Sequence, residues 1–331
     1  MTPITRRQTF KLAAAASLAS AVPLLARAQA FEQPKFLYGF PAGSAGDIAC
    51  RRVAERVAGT AYAKNAAIVE NKPGAGGRIA LDTLKNSPAD GSVLCMSPYS
   101  ALSIYPHVYK KLSYDPFADF VPVSTSSVIH HGFAVGPQVP ASVTDVKGFL
   151  AWARANPDKA NYGSPAAGST PHFLGALLGL TQNVELKHVP YRGSVPGITD
   201  VVGGQIASMF TPAGDFLPNH RAGKLRLLAT SGRARLPYAP DVATFAEQGF
   251  SDLTTEEWFG FHAPARTPAA VVATASQVIN AALKEKSVID SLAVVGLIPM
   301  GMTPDEMLKS QRAEFDRWAP LVKRIGFTAD S

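Results

Sequence analysis

The sequence predicts an α/β protein of two domains, and three observations carry that prediction. Short β-rich runs alternate with stretches of helical periodicity, the pattern of α/β units built around parallel sheets. The chain has 331 residues, and the part beyond its leader-like start exceeds what one hydrophobic core usually serves. Clusters of Gly, Pro and Ser punctuate the alternation where strands pass into helices.

At the N-terminus, Arg6-Arg7 and Lys11 precede an apolar run from Leu12 to Leu25 that ends in Ala28-Gln29-Ala30. A charged start, an apolar stretch of about 14 residues and an A-x-A end read as a signal peptide, residues 1–30, whereas a membrane span needs about 20 apolar residues. The segment Thr5–Lys11 resembles a twin-arginine signal with its Phe one place later than usual.

The strand candidates are Lys35–Phe40, Ala67–Glu70, Val93–Met96, Phe133–Val135, Glu185–Tyr191, Ile206–Phe210, Leu225–Thr230 and Trp258–His262. Helices fit between them. One follows Thr267-Pro268, with Thr267 as N-cap and Val271, Val272, Val278, Ile279 and Leu283 turned inward. Another starts at a capping box, Thr303-Pro304-Asp305-Glu306, with Leu308, Phe315, Trp318 and Val322 as its inward stripe.

Three loops are candidates for a pocket, because strand-to-helix turns expose unpaired N–H groups and Gly lets backbone approach a ligand. The first is Tyr38–Asp47, entering a helix Ile48–Val57 that Asp47 is placed to cap. The second is Asn161–Thr170, entering a helix at Pro171-His172, and the third is Asn71–Gly77. Each alone reads equally well as an ordinary turn.

Composition narrows the function. Removing residues 1–30 discards Arg6, Arg7, Lys11 and Arg27 and no acid, so the net charge falls from +7 to +3. No Lys/Arg cluster is interleaved with aromatics, which argues against nucleic acid, and the mild positive bias favours anionic solutes. Cys50 and Cys95 read as two small buried thiols, although an oxidising compartment permits one bridge between them. Enzyme signatures are missing. Ala42-Gly43-Ser44-Ala45-Gly46 lacks the Gly two places before Ser that a nucleophile elbow needs. Gly74-Ala75-Gly76-Gly77 does not continue as a dinucleotide fingerprint. Adjacent His130 and His131 point to opposite faces of a strand, and His172 and His188 lack metal-ligand spacing, so neither a metal nor a cofactor is expected.

Taken in order, the segments form a series. The first and third loops, Tyr105–Pro116, Asp119–Val123, His188–Gly193, Gly223–Thr230, Trp258–Pro264 and Thr267-Pro268 resemble the Bug-type receptors of tripartite tricarboxylate transporters, across essentially the whole mature chain. The resemblance implies a two-lobed periplasmic-binding-protein fold with two crossing hinge strands. The first lobe would be residues 31–126 and 256–331, and the second 127–255. It implies a small organic carboxylate in the cleft, no cofactor, no catalysis, a monomer, and a membrane permease as partner. A membrane sensor is the alternative partner, since both would read the same ligand-driven closure.

By the same resemblance, the first loop points to Pro41, Ala42, Gly43, Ser44 and Asp47 as ligand contacts. The second points to Gly163, Ser164, Ala167, Gly168, Ser169 and Thr170. Two departures bear on the grip: Ser44 stands where Gly is common, and Pro165-Ala166-Ala167 replaces an Ala-Gly-Asn-like stretch. Tyr99, Ser100, Arg192, Thr211 and Asp215 lie in candidate facing loops. Arg192 suits a second ligand carboxylate, and Asp215 a ligand amine.

Overall fold

The computed structural model describes residues 30–329, so the signal-peptide reading lies, Ala30 apart, outside the described residues. The chain begins with β1 (Lys35–Tyr38), α1 (Ala45–Arg56), β2 (Ile68–Asn71), α2 (Arg78–Lys85), β3 (Val93–Pro98) and two single-turn helices, α3 (Ser100–Ser103) and α4 (Tyr105–Val108). A long strand, β4 (Phe120–Val135), leads into α5 (Val146–Ala155), β5 (Asn161–Ser164), α6 (Thr170–Gln182) and β6 (Lys187–Pro190). Then come α7 (Ser194–Val202), β7 (Ser208–Pro212), α8 (Ala213–Arg221) and β8 (Arg226–Thr230). The chain returns through β9 (Glu256–Pro264), α9 (Ala269–Ala282), α10 (Lys286–Val294), β10 (Ile298–Pro299) and α11 (Pro304–Ile325).

Two α/β lobes share β4. In the first, β2, β1 and β3 are parallel, with Phe36 opposite both Val69 and Leu94, and β9 runs antiparallel to β3. β4 pairs antiparallel with β9 from Phe120↔Pro264 to His130↔Glu256, and β10 flanks it. One residue further on, its partners change. From His131↔Pro212 to Val135↔Ser208 it pairs with β7, and from Gly132↔Thr230 with β8. β5 then joins β7 to β6 in parallel. The three-strand parallel set recurs in each lobe, and the crossing strands add the antiparallel pairs. The return path runs beside β4 at the switch: Ser231 N donates to His131 O, and Thr255 N donates to Ser231 O.

Alternation along the strands fills both faces of each sheet. Phe36 and Tyr38 join Ala49, Cys50 and Val53 of α1 and Val272 and Ile279 of α9, while Leu37 faces Leu81, Tyr105 and Trp318 on the other side. In the second lobe Phe133 and Phe210 stack at 4.4 Å among α5 and α6 residues, and Ala134 and Met209 face α7 and α8. Cys50 and Cys95 belong to opposite faces of the first sheet, and both are free thiols.

Three local readings change. The N-cap of α9 is Pro268, whose carbonyl accepts from Val271 N and Val272 N, and the buried Thr267 hydroxyl has no partner. In α11 the capping box forms as read, but the fully buried positions are Met307, Gln311, Trp318 and Val322. Leu308 and Phe315 are only half-buried, Phe315 packing on His107 and Phe117. Asp47 is not the cap of α1: Ser44 is, accepting from Asp47 N at 3.4 Å.

Candidate functional site

A small cavity lies between the lobes, beside the point where β4 changes partners. The first lobe contributes Tyr38, Phe40, Gly46, Pro98, Ser100, Glu257 and Phe259, the shared strand β4 contributes Ile129 and His131, and the second lobe Pro165, Ser169, Pro171, Ser194, Pro212 and Asp215. Four of these positions open helices of eight residues or more. Gly46 is in the first turn of α1, Ser169 caps α6, Ser194 begins α7, and Pro212 caps α8. The positive ends of four helices, one from the first lobe and three from the second, therefore meet at one cavity, which favours an anion there.

Glycine permits the close approaches. A side chain at Gly46 would run into the Tyr38 hydroxyl and the Phe259 ring, so this turn presents only backbone to the cavity. Gly193, at φ +109°, lies against Pro41 of the other lobe, where only Gly fits both the dihedral and the gap.

Polar groups in the wall are already partnered in a defined way. Glu257 Oε2 meets His131 Nε2 at 2.7 Å, and Glu257 Oε1 accepts from Ser100 N at 2.9 Å. Both side chains are buried, at 1% exposure for His131 and 2% for Glu257, while His131 Nδ1 has no partner. A second imidazole–carboxylate contact, His130 with Glu256 at 3.4 Å, sits beside it on the same two strands. Burial holds the His130 pKa below the ordinary imidazole range, against the pull of Glu256. Asp215 crosses the cleft, its Oδ1 accepting from Ala45 N at 2.7 Å. Burial pushes the Asp215 carboxyl up, opposed by hydrogen bonds from Ser194, Ala45 and Thr211.

Of the residues singled out in the sequence, Ser100, Ser169 and Asp215 stand in the cavity wall. The others support it from behind or from the rim. Pro41 O accepts from the Ser44 hydroxyl, and Ala42 and Gly43 are exposed. Asp47 ties the first loop together, accepting from Gly43 N, Asn71 Nδ2 and Arg51 Nε. Ser164 is fully buried against His188 Nε2 at 2.7 Å, and Gly163 packs on Ile206 and Tyr191. Ala167 O accepts from the Tyr109 hydroxyl of the other lobe, Gly168 N donates to His172 Nδ1, and Thr170 is buried with its hydroxyl unpartnered. Thr211 contacts Asp215 at 3.5 Å. Arg192 is exposed, outside the wall.

Tyr99 corrects most clearly. It is fully buried, and its hydroxyl accepts from Arg317 and from Trp318 Nε1, each at 3.2 Å, so it anchors α11 instead of facing a ligand. Conversely, His131, Glu257 and Ser194 are wall residues that sequence reasoning missed. The one signal for the first two is a pair of doublets, His130-His131 and Glu256-Glu257, on strands that turn out to be neighbours.

Two α/β lobes joined by crossing strands, with helix N-termini turned into the cleft, make this a periplasmic solute-binding protein by architecture. The chain belongs to the tripartite tricarboxylate transporter receptor family, whose model matches residues 50–327. Its relatives include Protein BugT of Bordetella pertussis, 30% identical over 288 residues, with 87% of each chain covered. Among solved structures, one described as a periplasmic transporter is 34% identical with a TM-score of 0.84, covering 93% of this chain and 99% of its own. An R. palustris protein solved with adipate is 29% identical with a TM-score of 0.85, covering 90% and 98%.

Proposed function

We propose that this chain is an extracytoplasmic receptor that holds a small organic carboxylate in the interlobe cavity and hands it to a tripartite tricarboxylate-type membrane transporter. One observation carries the reading: of the four helix N-termini that converge on the cavity, those of α6 and α7 have neither a side-chain cap nor an acid in the first turn, which favours an anion there. The similar protein solved with adipate supports the ligand class, and the family supports a periplasmic location and a transport partner. The leader reading of residues 1–30 fits export and cleavage after Ala30. The lobes are taken as residues 31–126 with 256–331, and 127–255, so that β4 and the segment before β9 form the hinge.

The test is a thermal-shift panel of mono-, di- and tricarboxylates, aromatic acids and amino acids, with mass spectrometry of whatever copurifies. A ligand at about 100 times its Kd adds roughly 2.7 kcal/mol to stability, visible as a shift of a few degrees. If no carboxylate shifts the melt while neutral sugars or metal ions do, the reading fails.

A further inference from the structure

The cavity is built with two unlike ends. Its helix starts supply positive ends for one carboxylate, yet two carboxylates of the protein, Glu257 and Asp215, stand in the same wall. Among the described residues lining it, none is Lys or Arg. A solute with a second carboxylate would have to place it near groups of its own sign. Such juxtaposition is an effective device for rejecting a ligand.

The other wall groups favour the opposite charge. Tyr38, Phe40 and Phe259 form an aromatic surface, with ring centroids 5.6 Å apart for Tyr38 and Phe40 and 6.2 Å for Tyr38 and Phe259. Ring faces attract cations. His131 adds an independent observation: it is 1% exposed, its Nε2 is engaged by Glu257, and its Nδ1 has no partner. The wall thus holds an imidazole tied to a carboxylate, with one ring nitrogen still without a partner.

We propose that the cavity selects carboxylic acids bearing a cationic or hydrogen-bond-donating nitrogen opposite the carboxylate, zwitterions above all, over dicarboxylates of matched length. This rests on the carboxylate-receptor reading. The carboxylate lies toward the open start of α6, whose first turn holds no acid, and the nitrogen toward Glu257, Asp215, His131 and the aromatic surface.

Isothermal titration calorimetry of the mature chain on matched triplets tests it. The triplets are γ-aminobutyrate, glutarate and butyrate; δ-aminovalerate, adipate and valerate; para-aminobenzoate, terephthalate and benzoate. In at least one triplet the nitrogen-bearing acid should bind about tenfold tighter than both companions. Glu257→Gln should erode that preference while the plain monocarboxylate is affected less. Asp215→Asn serves as the second variant, circular dichroism checks that both fold, and the wild-type ranking decides alone if neither does. A dicarboxylate binding as tightly as its nitrogen-bearing partner in every triplet that binds would overturn the proposal and assign His131 as the cation for a second carboxylate. An unsubstituted acid binding equally well would overturn it too, and in both cases the carboxylate reading survives. If no acid binds while neutral solutes do, that reading falls and the selectivity falls with it.

Discussion

The two walls of the cavity treat their helix ends differently. On the first lobe, the opening turn of α1 is filled: Ser44 accepts from Asp47 N, Asp215 accepts from Ala45 N, and Asp47 brings its own negative charge. On the second, α6 and α7 have neither a side-chain cap nor an acid in the first turn, and the Ser169 hydroxyl donates to Ala166 O instead. Three aromatic rings, Tyr38, Phe40 and Phe259, stand in the first wall beside Glu257, and Pro and Ser residues stand in the second beside Asp215. Two strand-to-helix entries that read alike in sequence thus differ in what they can still bind. The uncompensated donors are on the second lobe, and the surface for the body of the solute is on the first.

Acid should separate the lobes most strongly. Burial pushes the His188 and His262 pKa values down to about 4, and burial together with the neighbouring imidazole of His188 pushes His172 down to about 2. An imidazole whose folded pKa is depressed resists protonation only in the folded state. Stability therefore falls once pH drops below the unfolded value of about 6.5, by up to roughly 1.4 kcal/mol per pKa unit for each group. Two of the three histidines lie in the second lobe, so hydrogen exchange between pH 6.5 and 4 should quicken in β5 and β6 before β1 and β3. Equal or reversed acceleration would contradict the assignment.

Glu257→Ala comes next. It strands His131 and the Ser100 amide at the hinge, and urea unfolding should register a loss of about 3 to 5 kcal/mol. A loss under about 1 kcal/mol would mean that the pair does not hold the crossing strands. Ser169→Asp should fill the open end of α6 with a carboxylate. Carboxylate affinity should fall by at least about 2 kcal/mol, roughly thirtyfold in Kd, while Tm holds or rises. Unchanged affinity would place the ligand's anionic end elsewhere. Smallest is Ser44→Ala, which removes the α1 cap and should cost about 1 kcal/mol of stability in the same urea assay.

Much of the fold is legible where local chemistry decides. Thr303 and Glu306 make their box, and apolar runs such as Phe36–Tyr38 and Leu227–Ala229 become strands. Elements that depend on neighbours are not. Asn161–Ser164 carries turn residues and is a strand because β6 and β7 ladder onto it from both sides. The Ser124–Ser127 stretch of β4 lacks apolar alternation and is held by β9 across two register shifts. The site divides the same way. Gly-rich entries mark where the cavity lies, but His131 and Glu257 meet across 126 residues through strand register, which no local pattern encodes. Tyr99 is drawn by its loop position toward the ligand, whereas its ring is claimed by Trp258, at 5.6 Å, and its hydroxyl by α11.

The strand common to both lobes also governs what can be cut apart. β4 gives its first eleven residues to the ladder with β9 and its last five to β7 and β8, in one uninterrupted strand. A fragment ending before β4 also lacks β9 and leaves β3 with a raw edge, and one beginning after β4 leaves β7, β8 and β9 without the strand that joins them. Neither lobe should therefore fold fully on its own: halves produced separately should recover structure only on complementation, with β4 as the piece they compete to own.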